Sequence, residues 1–368
     1  MNKIRANLKI LILIIFSVGI CYSAELDGLI PVWQALVSDN LFIYKPVEYS
    51  GLELDKEFGR VFLSNKNGEI VSVDSDTGKI LWRYKTGYIS HRKPILSNNI
   101  LFLASTEGKI NAIDVSKKRP AQLFTRDLSG GIISEITLDG DRIFLLTERN
   151  TLYCLNMRDG TTIFQVNNDF NEGFSIYTDT PILAVKDYIV YTISTGELFV
   201  LNKSDGKLLY KLNLYNPEEK IDGFSGLFDL DEYIILSTYS GSLYKLELKT
   251  GKILWSRNLS GITSIKVDKE NNNIYLANND GTISIIDIDG KLLLKRRPLK
   301  EKVAGIDILG KRLIVRYLNG YIVSFLKTDL NPITFFRLSS PVISEINYDN
   351  RFAYLFSSKG LLIKILIK

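Results

Sequence analysis

His91 is the only imidazole in this chain of 368 residues, so a nucleophile-histidine pair has one candidate base and a metal site built from several histidines is excluded. It stands in Ser90-His91-Arg92-Lys93-Pro94, and nothing beside it marks it as a proton-transfer group. Cys21 and Cys154 are the only thiols, and Cys154, inside Leu152-Tyr153-Cys154-Leu155, reads as a small apolar side chain in a strand. No Cys-x-x-Cys-His haem motif, no phosphate-binding Gly-rich loop ahead of a helix and no metalloprotease helix motif occurs. The cationic run Lys295-Arg296-Arg297 suits an outer strand that charge protects from edge pairing. These residue types point to no enzyme, no cofactor and no metal, and a formal charge of +5 points to no nucleic-acid surface.

The elements that carry these residues begin after a basic and apolar leader. Lys3, Arg5 and Lys9 precede the apolar run from Ile10 to Ile20, which is short for a bilayer span, and we expect a signal peptide over 1–23. Val18-Gly19-Ile20-Cys21 loosely follows the pattern of a lipoprotein signal, which would end at 20 and leave Cys21 as the lipidated residue. Removal of the three leader cations lowers the formal charge of +5 to about +2. A composition of 45% hydrophobic and 24% charged residues then suits one globular domain over 29–368.

That domain is repetitive. Gly68 to Trp82 reads Gly-Glu-Ile-Val-Ser-Val-Asp-Ser-Asp-Thr-Gly-Lys-Ile-Leu-Trp, and Gly241 to Trp255 repeats the arrangement. Each is a strand, a tight turn at Asp74 and Gly78 or at Glu247 and Gly251, and a second strand. Both strands are apolar at most positions, which predicts a sheet covered on both faces. Units open at Gly68, Gly108, Asn150, Gly196, Gly241, Gly281, Gly320 and Gly360, 39 to 46 residues apart. A strand precedes each opener, and an inner strand precedes most of these, as at Ile132 to Leu138, Ile262 to Val267 and Val342 to Ile346. Four antiparallel strands per unit of about 40 residues is the pattern of a β-propeller blade.

The eighth unit ends at Lys368 after its third strand, while Pro31-Val32-Trp33 near the other end resembles the close of a fourth. We therefore expect an all-β, eight-bladed propeller whose last blade the N-terminal strand closes, leaving no open edge. Trp33, Trp82 and Trp255, with Phe164 and Tyr210 at the same place in the repeat, would pack near the joins between blades. Two connections from an outer to the next inner strand are long, at 167–180 and 215–225, and emerge on one face. Their residues Glu172, Gly173, Phe174, Ser175, Asp222, Gly223 and Phe224 are the candidate partner-binding group.

The run Asp74-Ser75-Asp76-Thr77-Gly78-Lys79-Ile80-Leu81-Trp82 resembles the tryptophan-docking repeat of quinoprotein-type propellers, and the size and arrangement of the chain resemble the BamB-like family among them. That resemblance implies a non-catalytic periplasmic scaffold of outer-membrane barrel assembly. Its partner would be the periplasmic domains of the central outer-membrane barrel-assembly protein, bound through loops before the middle blades. Membrane contact would come only through that partner or a lipid anchor at Cys21. Asn171-Glu172-Gly173-Phe174-Ser175 keeps the glycine and serine of the family's partner loop and lacks its arginine. Quinone-dependent dehydrogenases share the repeat but are longer, with a calcium site in the funnel and often adjacent cysteines. They, and a scaffold of another envelope complex, are the alternative readings.

Overall fold

The structure is a computed structural model describing residues 28–38, 48, 50–168, 181–193, 196–214, 224–238, 241–259 and 261–368, with the side chains of Phe224 and Ser225 excepted. Glycine opens nearly every unit because the chain turns there in the left-handed region. The φ angle is +69° at Gly68 and +106° at Gly241, and the one exception, Asn150 at +54°, is a residue type that tolerates it. Around the first turn Arg60–Ser64 pairs with Glu69–Asp74, and Leu52–Asp55 and Ile80–Lys85 flank them, all antiparallel. This is blade 1, and the same sheet recurs as blades 2 to 7 over 95–127, 137–167, 182–213, 224–258, 262–296 and 303–337. Blade 8 combines Asn347–Asp349, Phe352–Phe356 and Leu361–Ile367 with Leu29–Leu36 from the other end of the chain, in register from Leu29 opposite Ile367 to Leu36 opposite Leu361. The result is an eight-bladed, all-β propeller, with no helix among the described residues.

Its core is not one mass but a ring of wedges. Among the described residues the buried apolar side chains form eight clusters, each filling the gap between two consecutive blades. Blades 8 and 1, for instance, share Tyr354, Phe356 and Leu362 with Val61, Leu63 and Val71. A strand with a blade packed on each face must be apolar on both faces, which is why the third strand of blade 1, Glu69–Asp74, buries all four of its central residues.

The gaps are latched at their outer end. Trp33 lies over the turn of blade 1 so closely that a Cβ on Gly78 would stand 2.7 Å from its ring, and its Nε1 donates to the Ser75 carbonyl at 3.1 Å. Trp255 donates in the same way to Ile288 of blade 6 at 3.1 Å, and the Tyr210 hydroxyl to Leu248 of blade 5 at 2.5 Å. Phe164 covers Gly206, and Trp82 packs beside Phe62 with ring centroids 5.7 Å apart. In blades 1 to 6 the turn is itself held by its acidic or amide residue. Asp74 accepts from the Thr77 hydroxyl and N–H, both at 2.7 Å, and these bonds hold its carboxyl below the usual carboxylate range.

Three expectations are corrected. The outer strands are not covered on both faces: Ile80 is 39% and Leu81 48% exposed, because neighbouring blades splay apart at the perimeter. Two inner strands are shorter and later than their apolar runs suggest, at Thr137–Asp139 and Asn347–Asp349. Val342 and Ile346 are buried in the wedge between blades 7 and 8 without strand pairing, since Arg316 donates to the carbonyls of Val342 and Ile343 at 3.2 and 2.7 Å and Asp307 accepts from the Ile346 N–H at 3.4 Å. The third concerns the docking aromatics, which also include Phe124 over Gly160. The turn at 116–120 in blade 2 is long, so fixed spacing misses it. In blade 7 the turn residue is Leu330, with φ +56°, buried in the wedge against which Leu294 of blade 6 packs.

Candidate functional site

Blades that begin at the axis bring their inner segments to the mouth of the central channel, where Gly51, Lys93, Glu135, Pro181, Gly226, Ser264 and Glu345, from blades 1 to 6 and 8, line a cavity of 460 Å³ together with Lys266 and His91. The cavity opens on the face where outer strands hand over to the next inner strand, and both long connections end there, one at Pro181 and the other at the strand Phe224–Leu230.

The charges of this ring are matched across blades. Lys93 of blade 2 lies 3.1 Å from Glu53 of blade 1. Lys266 of blade 6 reaches past blade 7 to Glu345 of blade 8. Behind Gly305 the guanidinium of Arg316 pairs with Asp307 at 2.8 Å, side chains only 3% and 6% exposed. Crowding by protein opposes ionisation of Glu345, and Lys266, Arg316 and Lys93 outweigh it, so that carboxyl titrates below the usual range. Glu135 goes the other way: burial outweighs the attraction of Arg92 and Lys93, and its pKa is raised. Burial likewise lowers the pKa of Arg92, and the Glu135 charge opposes that shift.

The partner-binding residues expected from the sequence are not brought together in view. Glu172, Gly173, Phe174, Ser175, Asp222 and Gly223 lie outside the described residues, as do Cys21 and the whole of 1–23, and Phe224 is placed only as the first residue of its strand. Cys154 is buried between Phe144 and Phe164 on the neighbouring strands, and burial pushes its thiol up to about 11, which removes it as a nucleophile. Among the described residues no three His, Cys, Asp or Glu side chains converge as a metal site. Arg296 and Arg297 of the basic run bond to Asn331 of blade 7 at 2.8 Å and to the Asp280 carbonyl at 2.7 Å. The lining of the channel mouth was missed, and no single column of the repeat carries it, because Gly51 and Ser264 stand seventeen positions before their openers and Lys93, Glu135, Pro181, Gly226 and Glu345 fifteen.

Comparison with known proteins agrees with this architecture. The "Outer membrane protein assembly factor BamB" of Yersinia pestis is 27% identical over 194 residues, which is 53% of this chain and 39% of that protein. The chain thus spans about two fifths of the length of the curated relatives it matches. The crystal structure of BamB from Moraxella catarrhalis superposes with a TM-score of 0.76 over 92% of this chain and 100% of that one, at 15% identity. Sqt1 of Saccharomyces cerevisiae follows at 0.74 and 12%, over 92% and 98%. At such identities these two likenesses speak for the fold alone. The family model described as "Outer membrane protein assembly factor BamB" matches residues 59–316, most of the propeller, and the chain belongs to that family.

Proposed function

We propose that the protein is a non-catalytic scaffold of outer-membrane β-barrel assembly, working in the periplasm at the outer membrane. The observation that carries this reading is the family match over 59–316, which runs from the second strand of blade 1 into the second strand of blade 7. The partner is the central barrel-assembly protein, bound through its periplasmic domains. The binding loops are the two long connections, at Glu172 to Ser175 and Asp222 to Phe224, whose ends flank the mouth of the channel. A ring of packed blades suits docking, because it holds the ends of the two connections at a fixed spacing. Export would use the leader 1–23, with Cys21 as the lipid attachment point if the leader is cut after residue 20.

Cross-linking in intact envelopes followed by purification of this protein tests the reading. The barrel-assembly protein is the expected capture, and Phe174→Ala with Phe224→Ala should reduce it about tenfold or more while the fold persists. Unchanged capture by that variant removes the loops from the interface. Robust dye-linked alcohol oxidation or calcium-dependent quinone binding by the purified protein would overturn the scaffold reading itself.

A further inference from the structure

One gap between blades lacks the aromatic ring that its counterparts hold. Opposite the residue four places after each unit opener, the outer strand carries Trp33, Trp82, Phe124, Phe164, Tyr210 or Trp255. Each of these packs in the wedge shared with the following blade. Blade 6 carries Leu294 at that place, so the gap before blade 7 has no ring there. A cavity of 240 Å³ lies in it, lined by Tyr275, Ile285, Leu293 and Leu294 of blade 6 and by Lys327, Thr328 and Asp329 in the turn of blade 7. Between blades 8 and 1 the equivalent residues surround an indole. The Tyr354 ring stands 6.2 Å from that of Trp33, Lys364 pairs opposite it, and the Ser75 carbonyl accepts its N–H. The carbonyl equivalent to that of Ser75 belongs to Lys327, which accepts the Tyr275 hydroxyl at 3.3 Å and has a second lone pair to offer.

The gap is open at the perimeter. Leu293 is 49% exposed, Thr328 and Asn271 are exposed, and Leu294 is half-buried behind them. At 240 Å³ the space falls below the range of about 300–1,000 Å³ usual for small-molecule sites, and suits one side chain. The charge beside it selects what carries that side chain. From Lys291 to Arg297 the outer strand of blade 6 has four cations and no acid, and no salt bridge engages Lys291, Lys295 or Arg296 among the described residues. Arg296, on the same side of the strand as Leu294, bonds to the neutral amide of Asn331 at 2.8 Å. Asp329, the carboxylate on the cavity wall, accepts the backbone and side-chain amides of Asn331 at 2.9 and 2.6 Å. A free aromatic molecule would leave the cations as they are, whereas carboxylates flanking a tryptophan would meet them.

We propose that the gap between blades 6 and 7 binds a tryptophan side chain presented by an acidic segment of a partner protein, with the indole N–H donating to the Lys327 carbonyl. The gap opens beside the turns that lead into outer strands, which antiparallel pairing puts on the face away from the long connections. This site goes beyond the scaffold reading and does not depend on it, since the two faces can be engaged together.

Fluorine NMR of acetyl-Asp-Trp-Glu-amide with a fluorinated indole, titrated with the purified protein, tests the proposal. One saturable site with a dissociation constant of about 1 mM is expected at low salt. Leu293→Ser should weaken it about fivefold or more, and Leu294→Phe, which supplies a ring from within, about tenfold or more. Because Leu293 is so exposed, the urea midpoint of Leu293→Ser should stay near that of the parent, which separates lost binding from lost folding. Unlabelled acetyl-Asp-Leu-Glu-amide and acetyl-Lys-Trp-Lys-amide should displace the probe about fivefold less well than the unlabelled parent peptide. No saturable binding up to about 5 mM, or equal displacement by the leucine peptide, overturns the proposal. Wild-type affinity in both variants overturns the placement, and equal displacement by the lysine peptide overturns the acidic segment. Displacement by free indole at a lower concentration than the peptide needs overturns a partner protein as the source. None of these readouts involves the envelope capture, so either reading can fail without the other.

Discussion

Gly78 and Trp33 form the latch that closes the ring, and a double-mutant cycle on them measures how closely the two ends of the chain are fitted. Trp33→Ala removes a half-buried indole and its bond to Ser75, although that carbonyl keeps the Lys364 ammonium at 2.9 Å. Full truncation of a buried Trp costs about 3–5 kcal/mol, and with partial exposure and a retained partner about 2–3 kcal/mol is expected. Gly78→Ala places a methyl group 2.7 Å from the indole at φ +71°, adding about 1–2 kcal/mol for the left-handed backbone to about 1–2 kcal/mol for overpacking. In the double variant the indole is gone and the overpacking vanishes with it, leaving only the backbone cost. The pair should therefore fall short of the sum of the singles by about 1–2 kcal/mol. Blade 7 offers a natural parallel, since Leu330 holds a left-handed φ in a wedge whose neighbouring outer strand carries Leu294 and no tryptophan. Urea unfolding followed by tryptophan fluorescence and by circular dichroism, fitted where the two transitions coincide, gives the four values. Additivity within about 0.5 kcal/mol would refute the claim that Trp33 is what makes position 78 intolerant of a side chain.

Arg316→Met should cost about 3–5 kcal/mol, because it leaves Asp307 buried without its cation and two carbonyls without their donor. Asp307→Asn in the same background should return part of that loss in urea unfolding; no recovery would mean that the packing of Arg316, not its charge, holds the segment. Glu135 has a folded pKa above its unfolded value of about 4.3, so it favours folding below that value, loses the advantage as pH rises to the folded pKa, and penalises the fold above it. Glu135→Gln should thus melt higher than the parent at pH 7 and converge with it below about pH 4, and a variant no more stable at pH 7 would refute the burial argument. With its thiol pushed up to about 11, Cys154 should be about 0.1% thiolate at pH 8 and inert to Ellman's reagent until urea unfolds the protein. Rapid labelling of the folded chain would contradict its placement between Phe144 and Phe164.

The hairpins were legible because the forces that make them are local. A left-handed turn at Gly68, an Asp74 carboxylate capping the next turn and apolar runs between them act within about fifteen residues and recur with the unit. Phe124 escaped because spacing was assumed constant, and the long turn of blade 2 moves it along the chain while leaving it in place in space. The early inner strands at 132 and 342 were misplaced for a different reason. Ile132 and Val342 are apolar because they fill wedges; the Ile132 N–H bonds to the Ser105 carbonyl of blade 2 and its segment meets its own blade only in a bridge to Thr147, while around Val342 the side chains of Asp307 and Arg316 take over the hydrogen bonding that a strand partner would supply.

Taken alone, the amino-acid order determined eight units, four strands in each and a closing strand at Trp33, since propensity, turn chemistry and an unpaired edge are properties of single units and of the two ends. Only the closed ring decided which units face one another across the axis. Closure sets Glu345 within reach of Lys266, 79 residues earlier, and sets Lys93 beside Asn347, 254 residues later. Pairing across a channel depends on the angle through which each wedge of packed side chains turns the next blade, and that angle is summed over the whole circle before any two opposite charges meet.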